Sequence, residues 1–414
     1  MRQKLLALVL VAMNACGGRA QDASGPAPIA LVGARIYRSP EAAPLDNGVI
    51  LIANGLIAEV GARGKVGIPA RTTVVDCSGA VIVAAFWNSH VHFTEPHWAG
   101  ADTLAAAALS ARLHTMLTRY GFVHVLDTGS WLENTLALRR RIDRGDVRGP
   151  AIRTTGSGFV PPHASPFYIL PDRLPEIGSP EDAKVRVARR LREGADAIKL
   201  FTGSYAAPTR IVPMPVPSVR AATLEAHSEH KQVVAHPSND AGLAAALEGG
   251  VDVLAHTTPD GGPWEAKLVR RLTQAHMALI PTLKLWTFEL FRRGVDSSTV
   301  QRLLNVAVGQ LRVFVRGGGE VLFGTDVGYM TEYDPTDEYR YMEQAGMSFR
   351  QILAALTTAP AGRFGEHERI SGRLERGRDA DLVILDEDPA NDIKALGRVR
   401  AVWRRGRLLT GPLR

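Results

Sequence analysis

Two histidines separated by one residue, His90 and His92, are the first residues of this sequence that could bind a metal ion together. Alternate residues of a β-strand point to the same side, so both imidazoles can approach one ion. Imidazole nitrogen is a common ligand of Zn²⁺. Alone, a His-x-His pair is weak evidence, because the chain has twelve histidines and most histidines are structural or exposed.

Four more residues with metal-binding or catalytic side chains stand inside or directly after short apolar runs later in the chain. They are Lys199, His236, His256 and Asp326. An aspartate at the end of a strand often caps the next helix, and a single histidine is usually structural. Carboxylate and imidazole groups recurring at equivalent points are better explained by one shared metal site, in which the carboxylate can also move protons.

Lys199 is unusual because it stands inside an apolar run, between Ile198 and Leu200, in a chain with only eight lysines. Burying an ammonium group costs several kcal/mol unless the charge is paired or removed. Burial also lowers the pKa of the amine and makes it a nucleophile. Such an amine could react with CO₂ to form a carbamate that bridges two metal ions.

The apolar runs that carry these residues alternate with longer segments of helical period. The strand candidates are 81–86, 122–126, 151–155, 197–201, 232–235, 251–255, 278–281 and 321–323. The segments between them include the helix candidates 102–120, 133–144, 180–193, 239–248 and 299–316. This alternation predicts an α/β fold with a parallel (β/α)₈ barrel, whose active site would lie at the C-terminal ends of the strands.

The segments on either side of the barrel have a β-like pattern. Short apolar runs between Asn-Gly and other turn signals fill 29–83, and β character returns in 366–414. We expect these two segments to pair in a small β-sandwich. The barrel, residues 84–365, would then be an insertion between its halves.

Together, these residues and motifs resemble the amidohydrolase superfamily of metal-dependent hydrolases, especially its imidazolonepropionase-like and prolidase-like branch. His90-Val91-His92 resembles the motif of the first barrel strand, and Lys199 the carboxylated lysine of two-metal members. The stretch 372–386 resembles the return of the chain to the β-sandwich. The ligands of strands five, six and eight are matched by His236, His256 and Asp326.

The resemblance implies a centre of two divalent metal ions, with Zn²⁺ the expected metal. The CO₂-derived carbamate of Lys199 would bridge the ions. His90 and His92 would hold the more buried ion, and His236 and His256 the other.

The resemblance also implies a mechanism in which a metal-bridging hydroxide attacks the substrate. Asp326 would ligate the buried ion, take the proton from the nucleophile and pass it to the leaving amine. The reaction would be hydrolysis of an amide-like C–N bond in a small molecule, such as a dipeptide, an N-acyl amino acid or a cyclic amide.

Several alternatives remain open at this point. Two-metal sites also hydrolyse lactones and phosphotriesters, and a mononuclear deaminase-like enzyme would lack the bridging lysine. A non-catalytic secreted barrel is a further alternative. Among partners, a second copy of the chain in a homo-oligomer also stays open. For substrate contacts, Tyr205 and His163 could bond a carbonyl, and Arg210 or Lys284 could pair with a carboxylate, but solvated loop positions explain these four residues equally well.

The composition is that of an ordinary globular protein. The chain has 414 residues, of which 45% are hydrophobic and 22% charged. Its net charge of +7 comes from 49 basic and 42 acidic residues, finely interleaved and without a nucleic-acid-binding motif, so we expect no nucleic-acid partner. No segment has about 18 uninterrupted apolar residues, so we expect no transmembrane segment.

The N-terminus has the pattern of an export signal. Arg2 and Lys4 precede an apolar run at 5–13, and a Gly- and Pro-rich stretch follows. We expect the protein to be exported and to be periplasmic or secreted.

Two processing points fit this signal. A signal peptide of residues 1–20 would be removed before Gln21, whereas a lipoprotein signal of residues 1–15 would leave a lipidated Cys16 as a membrane anchor. Cleavage at the first point would leave Cys77 as the remaining cysteine and allow no intrachain disulfide.

N-terminal sequencing of the protein from its native host tests the export prediction. We expect the mature chain to begin at Gln21 or at a lipid-modified Cys16, because the basic and apolar segments are signals for export. Recovery of an intact Met1 from the cytosolic fraction would contradict the prediction.

Overall fold

Strands and helices alternate along the computed structural model, which describes residues 27–365 and 371–412. The predicted export signal, with the candidate lipidation site Cys16, lies outside these residues. The strands are β1 Ile29–Ile36, β2 Leu45–Ala53, β3 Leu56–Ala62, β4 Thr73–Asp76, β5 Val81–Ala84, β6 Phe86–Val91, β7 Phe122–Asp127, β8 Ala151–Thr154, β9 Ile198–Leu200, β10 Gly203–Ala207, β11 Arg210–Pro213, β12 Val233–Ala235, β13 Val253–Ala255, β14 Ala278–Ile280, β15 Leu382–Leu385, β16 Val399–Arg404 and β17 Arg407–Thr410. The α-helices are α1 Ala106–Met116, α2 Leu132–Asp143, α3 Pro180–Arg192, α4 Val216–Ser228, α5 Asp240–Gly249, α6 Ala266–Gln274, α7 Leu283–Arg292, α8 Ser297–Arg316, α9 Thr336–Gln344, α10 Phe349–Leu356 and α11 Thr358–Phe364.

The N-terminal and C-terminal segments pair in one sheet, as the sequence predicts. Its strand order is β17-β16-β15-β5-β1-β2-β3, and β4 also pairs with β1. The antiparallel pair β5–β15 joins the two segments, and side chains such as Leu31, Ile50 and Trp403 form a buried core of their own. The strands belong to one connected sheet that branches at β1, and its division into the two layers of a sandwich stays a prediction.

Only one of the two Asn-Gly pairs near the N-terminus forms a turn. Asn54 and Gly55, with φ of 53° and 80°, connect β2 to β3 in the left-handed conformation that tight hairpins require. Asn47 and Gly48 instead lie inside β2. At Gly48 a Cβ would come within 2.4 Å of Ile36 Cδ1, so glycine there allows close packing of the two strands.

Two parallel sheets follow, in the orders β6-β7-β8 and β9-β12-β13-β14. On one side they are connected directly, because the Asp196 N–H just before β9 donates to the Thr154 carbonyl of β8 at 2.8 Å. On the other side the segment 321–323 lies between β14 and β6. The Leu322 N–H donates to the Leu279 carbonyl at 2.9 Å, and the Ser89 N–H donates to the Phe323 carbonyl at 2.7 Å. This mixed α/β arrangement is consistent with a (β/α)₈ barrel. None of the helices within 27–365 and 371–412 has the length and apolar character needed to cross a membrane.

The predicted first barrel strand, 81–86, is divided in the structure. Its first part is β5, which belongs to the terminal sheet, and the parallel strand β6 begins only at Phe86. Between them, the Ala85 N–H donates to the Asp381 carbonyl at 3.1 Å. A single apolar run therefore serves two sheets in succession.

The predicted eighth strand, 321–323, is reduced to an isolated bridge between Val321 and Leu279. The reason is local, because the Phe323 N–H donates to the Ala355 carbonyl of α10 at 2.9 Å rather than to a neighbouring strand. The segment still runs beside β6 and leads to Asp326.

A buried histidine–carboxylate contact connects the terminal sheet to the parallel strands. His124 of β7 lies with its Nε2 2.9 Å from Asp381 Oδ2, and its ring stacks on Trp87 with centroids 4.8 Å apart. Asp381 also accepts the Arg405 N–H at 2.6 Å. This contact fixes the position of β7, the strand next to the one that carries His90.

Candidate metal centre

The six residues that the sequence predicts as a site all line one cavity. They are His90, His92, Lys199, His236, His256 and Asp326. They stand within or just after β6, β9, β12 and β13 and at the end of the 321–326 segment. Because the C-terminal ends of parallel strands meet at one edge, residues distant in sequence come together there.

The side chains converge closely. The ring centroid of His256 lies 4.7 Å from that of His90 and 4.5 Å from that of His236. Ligand atoms of His90, His256 and Asp326 all lie within 4.8 Å of one another. Asp326 Oδ1 is 2.8 Å from His92 Nε2 and 3.5 Å from His90 Nε2.

Two buried atoms of this cluster have no hydrogen-bond partner, His90 Nδ1 and Asp326 Oδ1. Although His92 Nε2 lies close to Asp326 Oδ1, the two groups are therefore not aligned for a hydrogen bond. Leaving buried polar atoms unsatisfied is costly, and a cation shared by the converging nitrogen and oxygen atoms would remove that cost. These residues thus fit a divalent metal ion.

Burial keeps the imidazoles of His90, His236 and His256 neutral. It is the main reason why the pKa values of His90, His236 and His256 lie well below the ordinary histidine value, and the positive charge of Lys199 lowers them further. Neutral imidazole is the form that coordinates a metal. The cluster is therefore ready for an ion near neutral pH.

Lys199 is only 2% exposed in β9. Burial lowers its pKa to about 7, although the charge of Asp326 acts in the opposite direction. Its Nζ lies 5.8 Å from the centroid of the Phe201 ring. A substantial fraction of this amine is therefore uncharged at neutral pH, which is the form that reacts with electrophiles.

Thr282 orients His256, a role that the sequence did not reveal. The two side chains approach at 2.6 Å between His256 Nδ1 and Thr282 Oγ1, and the same hydroxyl donates to the Pro281 carbonyl at 2.9 Å. The hydroxyl must then accept the proton of Nδ1, which leaves Nε2 free as a ligand. Thr282 has φ of 44°, a strained conformation for a β-branched residue.

Asp127 at the end of β7 stabilises the backbone next to His92 through hydrogen bonds. It accepts hydrogen bonds from the hydroxyls of Ser130 at 2.5 Å and Thr154 at 2.6 Å. Ser130 in turn accepts the Phe93 N–H at 2.6 Å, one residue beyond His92. The buried carboxylate thus holds the loop that packs against His92, where a Cβ on Gly129 would lie 3.0 Å from the imidazole.

One of the four loop residues considered from the sequence, Tyr205, lines the outer cavity. Burial raises the pKa of Tyr205 to about 12, so its hydroxyl is a hydrogen-bond donor at neutral pH. The Tyr205 hydroxyl contacts Asp260 Oδ2 at 3.4 Å.

Three other candidates from the sequence, His163, Arg210 and Lys284, do not line the cavity. Lys284 is buried and donates to the carbonyls of Glu332 and Asp334 at 3.2 and 2.9 Å. A basic residue that the sequence did not single out, Arg293, does line the cavity.

Comparisons with known proteins agree with the resemblance seen in the sequence. The model of the amidohydrolase family matches residues 81–409. An ochratoxinase from Aspergillus niger is 23% identical over 429 residues, covering 93% of this chain and 88% of that protein.

Solved structures share the fold. A candidate prolidase from Bifidobacterium longum is 26% identical, with a TM-score of 0.77 and coverage of 93% of this chain and 95% of that chain. A Xaa-Pro dipeptidase with bound methionine in its active site is 18% identical, with a TM-score of 0.79 and coverage of 92% and 99%.

Replacing Lys199 by methionine should stabilise the metal-free protein, most strongly at low pH. The amine has a pKa of about 7 in the folded protein against an ordinary value of 10.5, so the unfolded chain binds more protons between these values. The stability of the unsubstituted protein therefore rises with pH across this window, and the full cost of the charge is present below it. Thermal unfolding of chelated protein between about pH 6 and pH 10 measures the difference.

The gain in melting temperature of Lys199→Met should be a few degrees near the acidic end and should shrink toward the alkaline end. Lys267→Met, at an exposed position of α6, is the matched control and should show no gain. A gain independent of pH would show that the charge of Lys199 is not its cause.

Proposed function

Because this chain belongs to the amidohydrolase family and is a hydrolase acting on carbon–nitrogen bonds, we propose that it cleaves the amide bond of a small molecule. The substrate would be a dipeptide, an N-acyl amino acid or a cyclic amide. The observation that carries this proposal is the convergence of four histidines, a buried lysine and an aspartate in one cavity. The dipeptidase, prolidase and ochratoxinase named above support an amide among the possible C–N substrates.

We propose that these six residues hold two divalent ions, with Zn²⁺ as the metal. Four imidazole side chains and a carboxylate match its ligand preferences, and Lys199 would complete the set as a carbamate. The bound ions would supply Lewis-acid activation of water and of the scissile carbonyl.

Formation of the carbamate uses the chemistry of Lys199 itself. The lone pair of the uncharged Nζ attacks the carbon of CO₂, a C–N bond forms, and one proton leaves the nitrogen for solvent. The product is an anion with two oxygens. Burial, which disfavours the ammonium form, favours this reaction.

Asp326 is the residue we propose for proton transfer. Its Oδ1 is buried and has no hydrogen-bond partner, so it can accept a proton from the attacking water and donate it to the leaving nitrogen. Its backbone φ of 65° turns the side chain toward the histidines. A proton shuttle of this kind contributes about 10²–10⁴-fold to the rate.

The architecture we propose for the whole chain is a closed (β/α)₈ barrel at 84–365 inserted in a sandwich of 29–83 and 366–414. The hydrogen bonds that connect the two parallel sheets on both sides support closure of the barrel. The β5–β15 pairing supports the assembly of the flanking segments. Export of the protein is likewise part of this proposal.

A screen of zinc-loaded protein for amine release tests the proposed reaction. Dipeptides, N-acyl amino acids and cyclic amides should be hydrolysed, and lactones and phosphotriesters should react more slowly. His92→Ala should lose bound zinc and several orders of magnitude in turnover, because the metal activates both water and carbonyl. Metal analysis and kinetics measure the two losses.

His114→Ala, which removes an exposed histidine of α1, is the control and should retain zinc and activity. Unchanged zinc content and turnover in His92→Ala would show that the site is elsewhere. Preferred hydrolysis of lactones or phosphotriesters would replace the amide proposal by that alternative.

The carbamate has a separate test. Metal-free protein should need bicarbonate as well as zinc to recover activity, and ¹³C-bicarbonate should give a carbamate signal in NMR spectra of the loaded protein. Lys199→Ala should bind fewer than two ions and lose most activity, partly restored by a short-chain carboxylic acid. Lys199→Arg should not recover, because guanidinium stays positive and cannot be carboxylated.

An experimental structure of the loaded protein with a single ion and an unmodified amine at Lys199 would contradict the carbamate. That result would support the mononuclear alternative.

A further inference from the structure

Arg293 places a partly unused guanidinium at the wall of the metal-centre cavity. It follows α7 directly and lines the cavity. Its Nε donates to Glu289 Oε1 at 2.6 Å, and its Cζ lies 5.7 Å from the centroid of the Phe167 ring. Within the described parts of the chain, its two terminal nitrogens, Nη1 and Nη2, donate no hydrogen bond. Glu289 therefore holds the Nε edge of the guanidinium, and the edge formed by Nη1 and Nη2 is available to a ligand.

The neighbouring Arg292 differs although it shares the same partner. Its Nε and Nη2 both donate to Glu289 Oε2, at 3.2 and 2.7 Å, and Nη2 also donates to the Tyr329 hydroxyl at 2.6 Å. Arg292 does not line the cavity. Its guanidinium is therefore committed to holding Glu289 and Tyr329.

The charges around Glu289 do not balance. This buried carboxylate faces two guanidinium groups, those of Arg292 and Arg293, and it also accepts the Tyr329 hydroxyl at 2.8 Å. One negative charge against two positive charges leaves a net positive charge at the cavity wall. Besides Glu289 and, at its base, Asp326, two more acids line the cavity, Asp172 and Asp260, and neither forms an ion pair with Arg293. A substrate anion would restore the balance.

The rest of the outer wall is apolar. Leu285, Trp286 and Leu290 line the cavity together with Trp131, whose side chain is 54% exposed. Phe291, next to Leu290 in sequence, is also 54% exposed. Aromatic and aliphatic surface of this kind binds an apolar group of a ligand, while a few polar groups set its orientation.

We propose that Arg293 binds a free carboxylate of the substrate and that the substrate is an amide with a carboxylate and a large apolar group. The two terminal nitrogens of a guanidinium match the two oxygens of a carboxylate. Glu289 acts as a positioning residue, because it holds the Nε edge of Arg293. This inference rests on the proposed amide hydrolysis and selects N-acyl amino acids or dipeptides with free carboxylates from its substrate classes.

Paired substrates test the inference on the zinc-loaded protein. N-benzoyl-L-phenylalanine carries the carboxylate, and its C-terminal N-methylamide does not, while release of benzoate reports the same bond in both. The acid should be preferred by about 100-fold in kcat/KM, and Arg293→Met should remove about that factor for the acid alone. The N-methylamide should change by less than about threefold.

Arg292→Met is the matched control, since it removes the same charge from the same partner outside the cavity. It should change the acid-to-amide ratio by less than about threefold. Arg293→Lys keeps the charge but not the two-nitrogen fork, so its acid-to-amide ratio should lie between those of Arg293→Met and Arg292→Met. This variant replaces Arg293→Met in the test if Arg293→Met does not fold.

Binding of 4-phenylbutanoate, which has no amide bond, separates failure of this inference from failure of the proposed function. Calorimetry should show binding to the zinc-loaded protein that weakens by about 100-fold in Arg293→Met and little in Arg292→Met. If no amide is cleaved but this pattern appears, the carboxylate site stands without the proposed reaction. If amides are cleaved with no dependence on Arg293, the reaction stands and the carboxylate site is overturned.

Discussion

The balance of charge at the base of the cavity is the constraint on which the rest of the site depends. Of the six converging residues, Asp326 alone is acidic, while Lys199 is basic and four are histidines. Low-dielectric surroundings raise the energetic cost of every unbalanced charge. His90, His236 and His256 respond by staying neutral, and the lysine by losing part of its affinity for a proton. Two bound dications would increase the positive charge further. The proposed conversion of Lys199 to a carbamate would both remove a buried ammonium group and offset part of the charge of the ions.

The backbone around the site is shaped to bring these groups together. His256 and Asp326 both have left-handed backbone conformations, with φ of 75° and 65°, so each turns sharply where its strand or segment ends. The chain near Asp326 also approaches the first histidines very closely. A Cβ on Gly324 would lie 2.8 Å from His90 Cβ, and a Cβ on Gly328 would lie 1.9 Å from the His92 carbonyl oxygen. Glycine at these two positions lets the segment that carries the carboxylate pack directly on the strand that carries the histidines.

The sequence predicts which six residues meet in the inner cavity because the signal is local. Each polar residue stands inside or at the end of an apolar run, and strand ends meet in a parallel arrangement whatever the details of the helices. The strand boundaries were less predictable, since the apolar run 81–86 serves two sheets and the amide of Phe323 bonds to a helix carbonyl. Arg293 gives no sequence signal, because its position at the cavity depends on how α7 packs. Lys284, in contrast, has a suitable charge and location in sequence, but its ammonium group donates hydrogen bonds to the loop at 332–334.

The strained backbone of Thr282 is offset by the hydrogen bond that its side chain makes in the site. A glycine would adopt the φ of 44° without strain, but Thr282→Gly would remove the hydroxyl that pairs with His256 Nδ1. The buried Nδ1 would then lack a partner, which costs stability, and the tautomer of His256 would no longer be fixed. Relief of backbone strain at this position is therefore opposed by the loss of a buried hydrogen bond, so the same threonine serves both the folded state and the metal-binding form of His256.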